Sequence, residues 1–233
     1  MRLVEPVQGV VFFDVDGTLV PQTSTSAHLA HRLGHFPELS VAEAAYAAGD
    51  LDNQEVAVLD AKAWRGRTPA EIDGWLAVLP LVDGIEETVG WCRAHRLRPH
   101  LATLAWEPVG RYLVRRFGFA GSCGPGLAIV DGRYTGEVEC HFDEYDKRDH
   151  ALAVAAAAQV PPSACAAVGD SRSDLPLFTE VGLPIAFNAT PAVKAVAAHI
   201  VDGADLTAIL PYLDNWLYTF ENSSSAPTRT RGL

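Results

Sequence analysis

The sequence lacks the features that identify several large classes of protein. Its net charge is −11 and its basic residues are scattered, so no basic stripe is available to bind nucleic-acid phosphates. The longest apolar run, ALAVAAAA from Ala151, is too short to span a bilayer. The N-terminal stretch MRLVEPVQG has a charge and a proline where a signal peptide needs an apolar core. We therefore expect neither nucleic acid nor membrane as a partner.

Cysteine and lysine are both scarce. The four cysteines lie far apart without a C-x-x-C pair, a pattern typical of reduced thiols, and we expect a cytoplasmic protein. There is no G-x-x-x-x-G-K-[ST] sequence, and Ile129 stands where a dinucleotide-binding fingerprint from Gly124 needs its third glycine. Only three lysines accompany 15 arginines, which makes a lysine inside a motif notable.

What the sequence does contain is an alternation of apolar and amphipathic segments. Four short apolar runs predict buried strands at residues 9–15, 97–104, 164–170 and 183–187. Between the last three, helical patterns occur at residues 107–119, 149–160 and 174–182. This alternation predicts an α/β fold with a Rossmann-like, doubly wound parallel sheet that helices cover on both faces.

Two segments depart from that alternation. Residues 21–83 are helical in period without a strand signal, which predicts an all-helical cap inserted between the first two strands. Ser40 and Thr68 are predicted to cap helix starts there, Thr68 with Pro69 behind it. Residues 127–138 alternate around Asp131-Gly132, which predicts a type I′ hairpin forming a flap outside the main sheet.

The predicted organisation is therefore a discontinuous core with an inserted cap. The core comprises residues 1–20 and 84–221, the cap residues 21–83, and residues 222–233 form a polar tail that we expect to be disordered. Hinges are expected near residues 21–23 and 82–84. Both a monomer and a homodimer are compatible with the sequence.

Acidic residues follow two of the predicted strands. Asp14 and Asp16 come at the end of the first strand, and Gly17 then allows a sharp turn. Because ligands of open α/β sheets bind at the carboxyl ends of the strands, acids after the third strand are expected at the same edge. Paired carboxylates are tolerable around a divalent cation, and Mg²⁺ prefers oxygen ligands. The sequence therefore predicts a Mg²⁺ site at Asp14, Asp16, Asp170 and Asp174.

Four motifs, in this order, resemble those of the haloacid dehalogenase-like superfamily. DVDGT (residues 14–18) resembles the first motif and Thr103 the second. Lys147 resembles the third, for which neighbouring Arg148 is the alternative candidate. GDSRSD (residues 169–174) resembles the fourth. The resemblance covers about residues 10–205, and the hairpin with GDSRSDLPLF is most similar to the phosphoserine phosphatase-like branch, which carries a helical cap.

This resemblance implies a Mg²⁺-dependent phosphomonoesterase that acts on a small phosphorylated metabolite. Asp14 would be the nucleophile that forms an aspartyl-phosphate, and Asp16 the general acid and base. Mg²⁺ would be held by an Asp14 side-chain oxygen, the Asp16 carbonyl and Asp170, with support from Asp174. The positions implied for binding the transferred phosphoryl group are Thr103, Lys147 and Thr18.

The motifs leave the substrate open. Phosphoserine phosphatases carry a Glu after the first motif and an Arg in the cap, where this sequence has Thr23 and Asp60. L-Phosphoserine is therefore disfavoured, and the acidic cap residues Asp52, Glu55 and Asp60 suit a sugar, cyclitol or amino-alcohol phosphate. The alternatives are a phosphoserine phosphatase, a phosphotransferase or mutase, a receiver-type signalling module and a catalytically idle binding protein.

We interpret a group of histidines and a group of tryptophans as structural residues. His28, His31 and His35 share one face of a predicted helix. Because no cysteine or fourth ligand accompanies them, a partly solvated cap surface is favoured over a zinc site. The tryptophans predicted to pack the cap and its hinge are Trp64, Trp75 and Trp91.

Overall fold

Eight strands form a parallel sheet and a separate hairpin. The computed structural model describes the backbone of residues 6–224 and the side chains as far as Thr219. Six strands pair in parallel in the order β3-β2-β1-β6-β7-β8, and β4 pairs with β5 antiparallel. This arrangement confirms the predicted α/β fold. In chain order the strands are β1 (Gly9–Phe13), β2 (Leu97–Ala102), β3 (Ser122–Cys123), β4 (Gly126–Val130), β5 (Arg133–Cys140), β6 (Cys165–Gly169), β7 (Leu183–Phe187) and β8 (His199–Val201).

The helices divide into those between β1 and β2 and those that follow β2. Between β1 and β2 lie α1 (Thr25–Leu33), α2 (Phe36–Ala48), α3 (Asn53–Ala63), α4 (Pro69–Leu76) and α5 (Ile85–Ala94). The others are α6 (Glu107–Phe117), α7 (Glu144–Ala157), α8 (Leu175–Phe178), α9 (Pro191–Lys194) and α10 (Leu210–Ser224). The first four lie in the segment predicted as the cap, whose exact boundaries stay a prediction. Within the described part of the chain, no helix is long and apolar enough to cross a membrane.

Strand β1 lies at the centre of the molecule because its side chains are apolar on both faces. Val11 and Phe13 belong to one buried cluster, whereas Val10 and Phe12 belong to a second cluster on the opposite face. All five residues of β1 are buried. A continuous apolar run is what a parallel strand covered on both faces requires.

Two local predictions within the cap and hairpin agree with the structure. Thr68 caps α4 through a reciprocal capping box with Glu71. At the hairpin turn, Asp131 and Gly132 have φ angles of 51° and 75°, the two positive values that a type I′ turn needs. The hairpin also contacts the cap, since the Tyr134 backbone exchanges hydrogen bonds with residues 66 and 67.

Several helix starts and ends differ from the predictions. Ser40 is not a helix cap, because α2 already begins at Phe36 after His35, and Ser40 lies inside it. The helix predicted over residues 174–182 is shorter, comprising a 3₁₀ turn (Arg172–Asp174) and α8. The helix predicted from residue 149 instead begins at Glu144, where Asp143 provides a capping box with Asp146.

Other elements were not predicted from the sequence. Strands β3 and β8 have two and three residues, too few to produce an alternating pattern. Helices α5 and α10 were also missed. Helix α10 continues through Ser224, three residues into the segment expected to be disordered, and residues 225–233 lie outside the described residues.

The three histidines of the cap have separate contacts. The His28 Nε2 atom lies 3.0 Å from the Trp75 carbonyl oxygen, and His31 stacks on Phe36. The His35 Nε2 atom lies 2.7 Å from an Asp60 oxygen. Trp64 is fully buried, while Trp75 and Trp91 are partly buried against the same apolar cluster. The histidines are therefore packing and capping residues in separate places.

His100 on β2 is a buried histidine without a hydrogen-bond partner. Its side chain packs edge-on against Phe12 and stacks with His150 at a centroid distance of 5.6 Å. Both ring nitrogens are buried and unpaired. Burial, with help from the charges of His150 and Arg98, lowers the pKa of His100 from 6.5 to about 4. The folded protein therefore holds this ring neutral at pH values where an unfolded chain protonates it.

This predicts that His100 makes the fold sensitive to mild acid. As the pH falls below 6.5, His100 becomes protonated in the unfolded chain, whereas in the folded protein it stays neutral down to about pH 4. The free energy of unfolding therefore decreases between these two pH values. Between pH 7 and pH 5, His100 should lower the free energy of unfolding by about 2 kcal/mol. Urea unfolding at both pH values should show that the free energy of unfolding decreases less between pH 7 and pH 5 in His100→Leu than in the wild type. His141→Leu, at an exposed loop position, is the control, and an unchanged loss in His100→Leu would contradict the prediction.

Candidate active site

Three aspartates meet at the carboxyl edge of the central strands. Asp14 directly follows β1, and its backbone N–H donates to the Val168 carbonyl of β6 at 2.9 Å. Asp170 directly follows β6, so the parallel pairing of these strands brings both aspartates to the same edge. Carboxylate oxygens of Asp14, Asp170 and Asp174 lie within 4.8 Å of one another.

A fully buried lysine compensates part of this negative charge. The Lys147 Nζ atom lies 2.9 Å from Asp14 Oδ1 and 2.7 Å from Asp174 Oδ1. Lys147 lies in the first turn of α7, and the capping box of Asp143 fixes where that turn starts. Burial alone would lower the pKa of Lys147, but the two carboxylates outweigh it and hold the pKa above its ordinary value. Lys147 is therefore charged at neutral pH.

Both oxygens of Asp174 are engaged within the protein. One binds Lys147, and the other accepts the backbone N–H groups of Asp170 and Ser171 at 2.9 and 3.0 Å. A Cβ atom at Gly169 would overlap the Asp174 carboxylate, so a side chain at that position would displace it. Asp174 thus orients Lys147 and the loop after β6.

The loop after β1 closes on Asp170 from the other side. Gly17 has a φ of +85°, and a Cβ atom there would overlap the Asp170 carboxylate. The neighbouring Thr18 hydroxyl donates to Asp170 Oδ1 at 3.2 Å. Glycine is required at position 17 both for its backbone conformation and for this close approach.

The Asp16 side chain binds the cap and is not part of the aspartate cluster. Its oxygens accept from the Thr25 backbone N–H at 2.6 Å and the Thr25 hydroxyl at 3.2 Å, at the N-terminus of α1. Burial raises the pKa of Asp16 to about 7; the Thr25 backbone N–H opposes this, and the charges of Asp14 and Glu43 add to it. One carboxyl therefore links the strand end to the first cap helix.

A cavity of about 210 Å³ lies between these strand ends and the cap. Asp14, Asp16 and Thr103 line its core side. Thr103 is buried and accepts the Ala105 N–H at 3.1 Å, which fixes its hydroxyl in the turn after β2. The remaining lining comes from the cap and from the loops that follow β2 and β6, namely Ser24, Ser26, Glu43, Tyr46, Asn53, Val56, Leu104, Ser171 and Ser173.

The acidic cluster has the donor chemistry of a divalent-cation site. Burial raises the pKa of Asp14 to about 6 and that of Asp170 to about 9, and in each case neighbouring carboxylates add to the effect. These shifts mean that ionising the cluster costs free energy, which a cation between the oxygens would offset. Asp14 and Asp170 supply hard oxygen ligands of the kind that Mg²⁺ takes.

The chain was compared with known families and proteins. The family model for haloacid dehalogenase-like hydrolases matches residues 11–179. The chain belongs to the haloacid dehalogenase-like hydrolase family. It is 30% identical to the phosphoserine phosphatase of Halobacterium salinarum, over 84% of this chain and 93% of that protein. It is 29% identical to that of Streptomyces coelicolor, over 91% of this chain but only half the length of the relative. These relatives support the phosphoserine phosphatase-like branch.

Solved structures share the fold at low sequence identity. A substrate-bound phosphoserine phosphatase complex superposes with a TM-score of 0.78 at 22% identity, covering 89% of this chain and 99% of that one. A haloacid dehalogenase family hydrolase from Salmonella enterica reaches a TM-score of 0.81 at 19% identity, over 88% of this chain and 70% of that one. This similarity extends over both the parallel sheet and the helices before β2.

The structure brings together most of the residues that the family motifs singled out. Asp14, Asp170, Asp174 and Lys147 are in direct contact or within a few ångströms, and Thr18 and Thr103 flank them. The Asp16 side chain does not join the cluster, which leaves its carbonyl as the group available there. Arg148, the alternative candidate for the third motif, instead pairs with Asp149 at the surface.

The acidic cap residues singled out from the sequence do not line the cavity. Asp52 and Glu55 form the capping box of α3. Asp60 is buried and binds His35 and the Trp106 indole N–H, the latter at 2.6 Å. This is a correction to the sequence interpretation, because a spacing pattern does not show which side of α3 faces the strand ends.

Glu43 is the acidic cap residue that the sequence interpretation missed. It lies on α2, lines the cavity and accepts the Ser24 hydroxyl at 2.6 Å. Burial raises its pKa; the Ser24 hydrogen bond opposes this and the charge of Asp60 adds to it. Its neighbours in the sequence are alanines, so no motif marks it. Only the periodicity of α2 combined with the fold reveals its position.

A second, larger cleft of about 800 Å³ lies on the other side of Asp170. The two cap linkers line it through Pro21, Thr23 and Val82. The second linker is fixed to the core, since Val82 N–H donates to the Leu19 carbonyl and residue 83 pairs with residues 204 and 206. Thr23, which takes the place of the branch's glutamate, therefore faces this cleft and does not line the smaller cavity.

The buried lysine yields a prediction about stability. Lys147→Met leaves Asp14 and Asp174 without their cation, and loss of one partner from a buried ion pair costs roughly 3–5 kcal/mol. Urea unfolding at pH 7 without divalent cations should show a loss of that size. Lys194→Met is the matched control, because Lys194 pairs with Asp202 at an exposed position and should cost about 1 kcal/mol or less. Equal losses in the two variants would be incompatible with this account.

Proposed function

We propose that this protein is a Mg²⁺-dependent phosphomonoesterase that hydrolyses a small phosphorylated metabolite through an aspartyl-phosphate on Asp14. The observation that carries the proposal is the contact of Lys147 with Asp14 beside Asp170, where Asp14 also lines a small cavity between the strand ends and the cap. Membership of the haloacid dehalogenase-like hydrolase family supports it.

The proposed reaction has two steps that share one acid. An Asp14 oxygen attacks phosphorus, and the Asp16 carboxyl gives its proton to the leaving alkoxide. Asp16 then takes a proton from a water molecule, whose oxygen attacks the phosphorus and releases phosphate and the Asp14 carboxylate. Thr103, Lys147 and Thr18 are proposed to bind the phosphoryl oxygens, because a carboxylate attacking a phosphate dianion needs positive charge and hydrogen-bond donors nearby.

The proposed cation site uses an Asp14 side-chain oxygen, the Asp16 carbonyl and Asp170. Mg²⁺ bound there would offset charge repulsion and polarise the phosphoryl group. Asp174 would support the site from behind, since its oxygens already bind Lys147 and two N–H groups.

The substrate is proposed to be a sugar, cyclitol or amino-alcohol phosphate. Several relatives are named phosphoserine phosphatases, so L-phosphoserine is the first alternative. Against it, no arginine or lysine lines the small cavity within the described side chains. Transfer of the phosphoryl group to a second hydroxyl is the other alternative, and product analysis with added acceptor alcohols distinguishes it. The four free cysteines favour action in a reducing cytosol.

The role of Asp14 is tested by a single substitution. Asp14→Asn should lower the turnover of p-nitrophenyl phosphate by roughly 10³-fold or more, because an amide does not form the acyl phosphate. Asp131→Asn at the exposed hairpin turn, where Asn tolerates the positive φ, should keep the wild-type rate. Substantial turnover by Asp14→Asn would remove it as the nucleophile.

The proposed cation is tested by activity and by thermal unfolding. Chelation with EDTA should abolish turnover, and added Mg²⁺ should restore it and raise the Tm, because a ligand that binds only the folded state stabilises it. Asp170→Asn should lose most of the Tm shift, whereas Asp202→Asn at the surface should keep it. A Tm shift of equal size in all three proteins would place the cation elsewhere.

A further inference from the structure

The small cavity contains a carboxylate that hydrolysis itself does not require. Of the residues assigned to the proposed chemistry, Asp14, Asp16 and Thr103 line the cavity, all on its core side. Glu43 lies on the cap side, where the alcohol part of a bound phosphate ester would project. Its role must therefore concern either the stability of the cap or the recognition of the substrate.

The contacts of Glu43 leave room for a ligand. Its Oε1 atom accepts one hydrogen bond, from Ser24, although a carboxylate has about four acceptor sites. Within the described side chains, no lysine, arginine or histidine forms an ion pair with it. Burial of a carboxylate is costly unless it is paired, so a cation that entered the cavity would be favoured at this point.

Apart from the apolar Val56, the rest of the cap-side lining is uncharged and polar. Ser26, Tyr46 and Asn53 line the same cavity as Glu43, and the Asn53 amide already donates to the Phe142 carbonyl at 2.7 Å. A volume of about 210 Å³ equals that of roughly seven water molecules, which suits a phosphoryl group with a short chain better than a nucleoside or hexose. The cavity thus fits a small alcohol that carries a positive charge.

We propose that Glu43 binds the ammonium group of the substrate, and that the substrate is the phosphate ester of a short amino alcohol without a carboxylate. This inference rests on the proposed phosphatase function and narrows it. Glu43 occupies a different position from the glutamate of the phosphoserine phosphatase-like branch, whose place is taken by Thr23. Recognition of the amine would therefore come from α2.

One feature favours the competing view that a carboxylate is recognised. The Arg172 guanidinium lies 4.1 Å from the centroid of the Tyr46 ring, close to the cavity wall. If Arg172 turned inward, it could pair with the carboxylate of an amino acid. In the structure its charge is directed at the ring face, a cation–π contact, and Arg172 does not line the cavity.

The test compares three phosphate monoesters: phosphoethanolamine, propyl phosphate of nearly equal size, and L-phosphoserine. Wild-type kcat/KM should be roughly 10- to 100-fold higher for phosphoethanolamine than for propyl phosphate, the range expected for a charged hydrogen bond in a pocket. In Glu43→Gln this ratio should fall toward one. Using the ratio within each variant removes any general loss of rate or folded fraction.

Two further variants complete the design. Glu38→Gln changes an exposed acid on the same helix and should keep the wild-type ratio. Glu43→Asp retains the charge but withdraws it by one methylene, and should lower the ratio at least about threefold. If Glu43→Gln does not fold, Glu43→Asp decides, and an unchanged ratio there overturns the proposal.

The outcomes separate this inference from the proposed function. Turnover of p-nitrophenyl phosphate without any preference for phosphoethanolamine overturns the inference alone. A preference for L-phosphoserine that Arg172→Gln removes also overturns it, in favour of carboxylate recognition. If no phosphate ester is hydrolysed in the presence of Mg²⁺, the proposed function fails together with the inference.

Discussion

The ion pairs of Lys147 with Asp14 and Asp174 are the contacts on which the rest of the site depends. Three carboxylates crowd together at a buried sheet edge, and their charges are tolerable only beside a cation. The sequence meets that requirement with one of its three lysines, held by a capped helix start. The close approach also requires glycine at positions 17 and 169, where a Cβ would overlap a carboxylate. The residues at positions 17, 147 and 169 are thus constrained by the need to hold the three carboxylates close together beside a cation.

Asp16 connects the cap to the same strand end that carries Asp14. This carboxyl lies two residues after Asp14, yet its hydrogen bonds go to the first turn of α1. Contacts of Asp60 with Trp106 and of Asn53 with Phe142 fasten α3 to the core at two more points. Together these contacts hold the cap helices over the strand ends that line the cavity. In the proposed mechanism, substrate selection and proton transfer would therefore take place in the same cavity.

The parts of this molecule that the sequence predicts are those whose signal is local. The buried strand before Asp14 and the Asp131-Gly132 turn each depend on a few consecutive residues, and both agree with the structure. Strand β8, with three residues, and the early start of α7 carry too little local signal. The contact of Glu43 with Ser24 spans 19 positions and depends on how α1 packs against α2. No spacing rule along one chain supplies that packing.

The position of Asp60 supports the proposal that substrate recognition in this chain differs from that of its branch. Where the phosphoserine phosphatase-like branch carries an arginine, Asp60 is buried between His35 and the Trp106 indole and serves to hold the cap on the core. An arginine there would lose both contacts and leave the indole N–H unpaired, at a cost in stability. With Asp60 at that position, no lysine or arginine among the described side chains lines the cavity to meet a carboxylate on the substrate. Among the described residues that line the cap side of the cavity, Glu43 is the charged one, and its carboxylate is suited to a positively charged ligand.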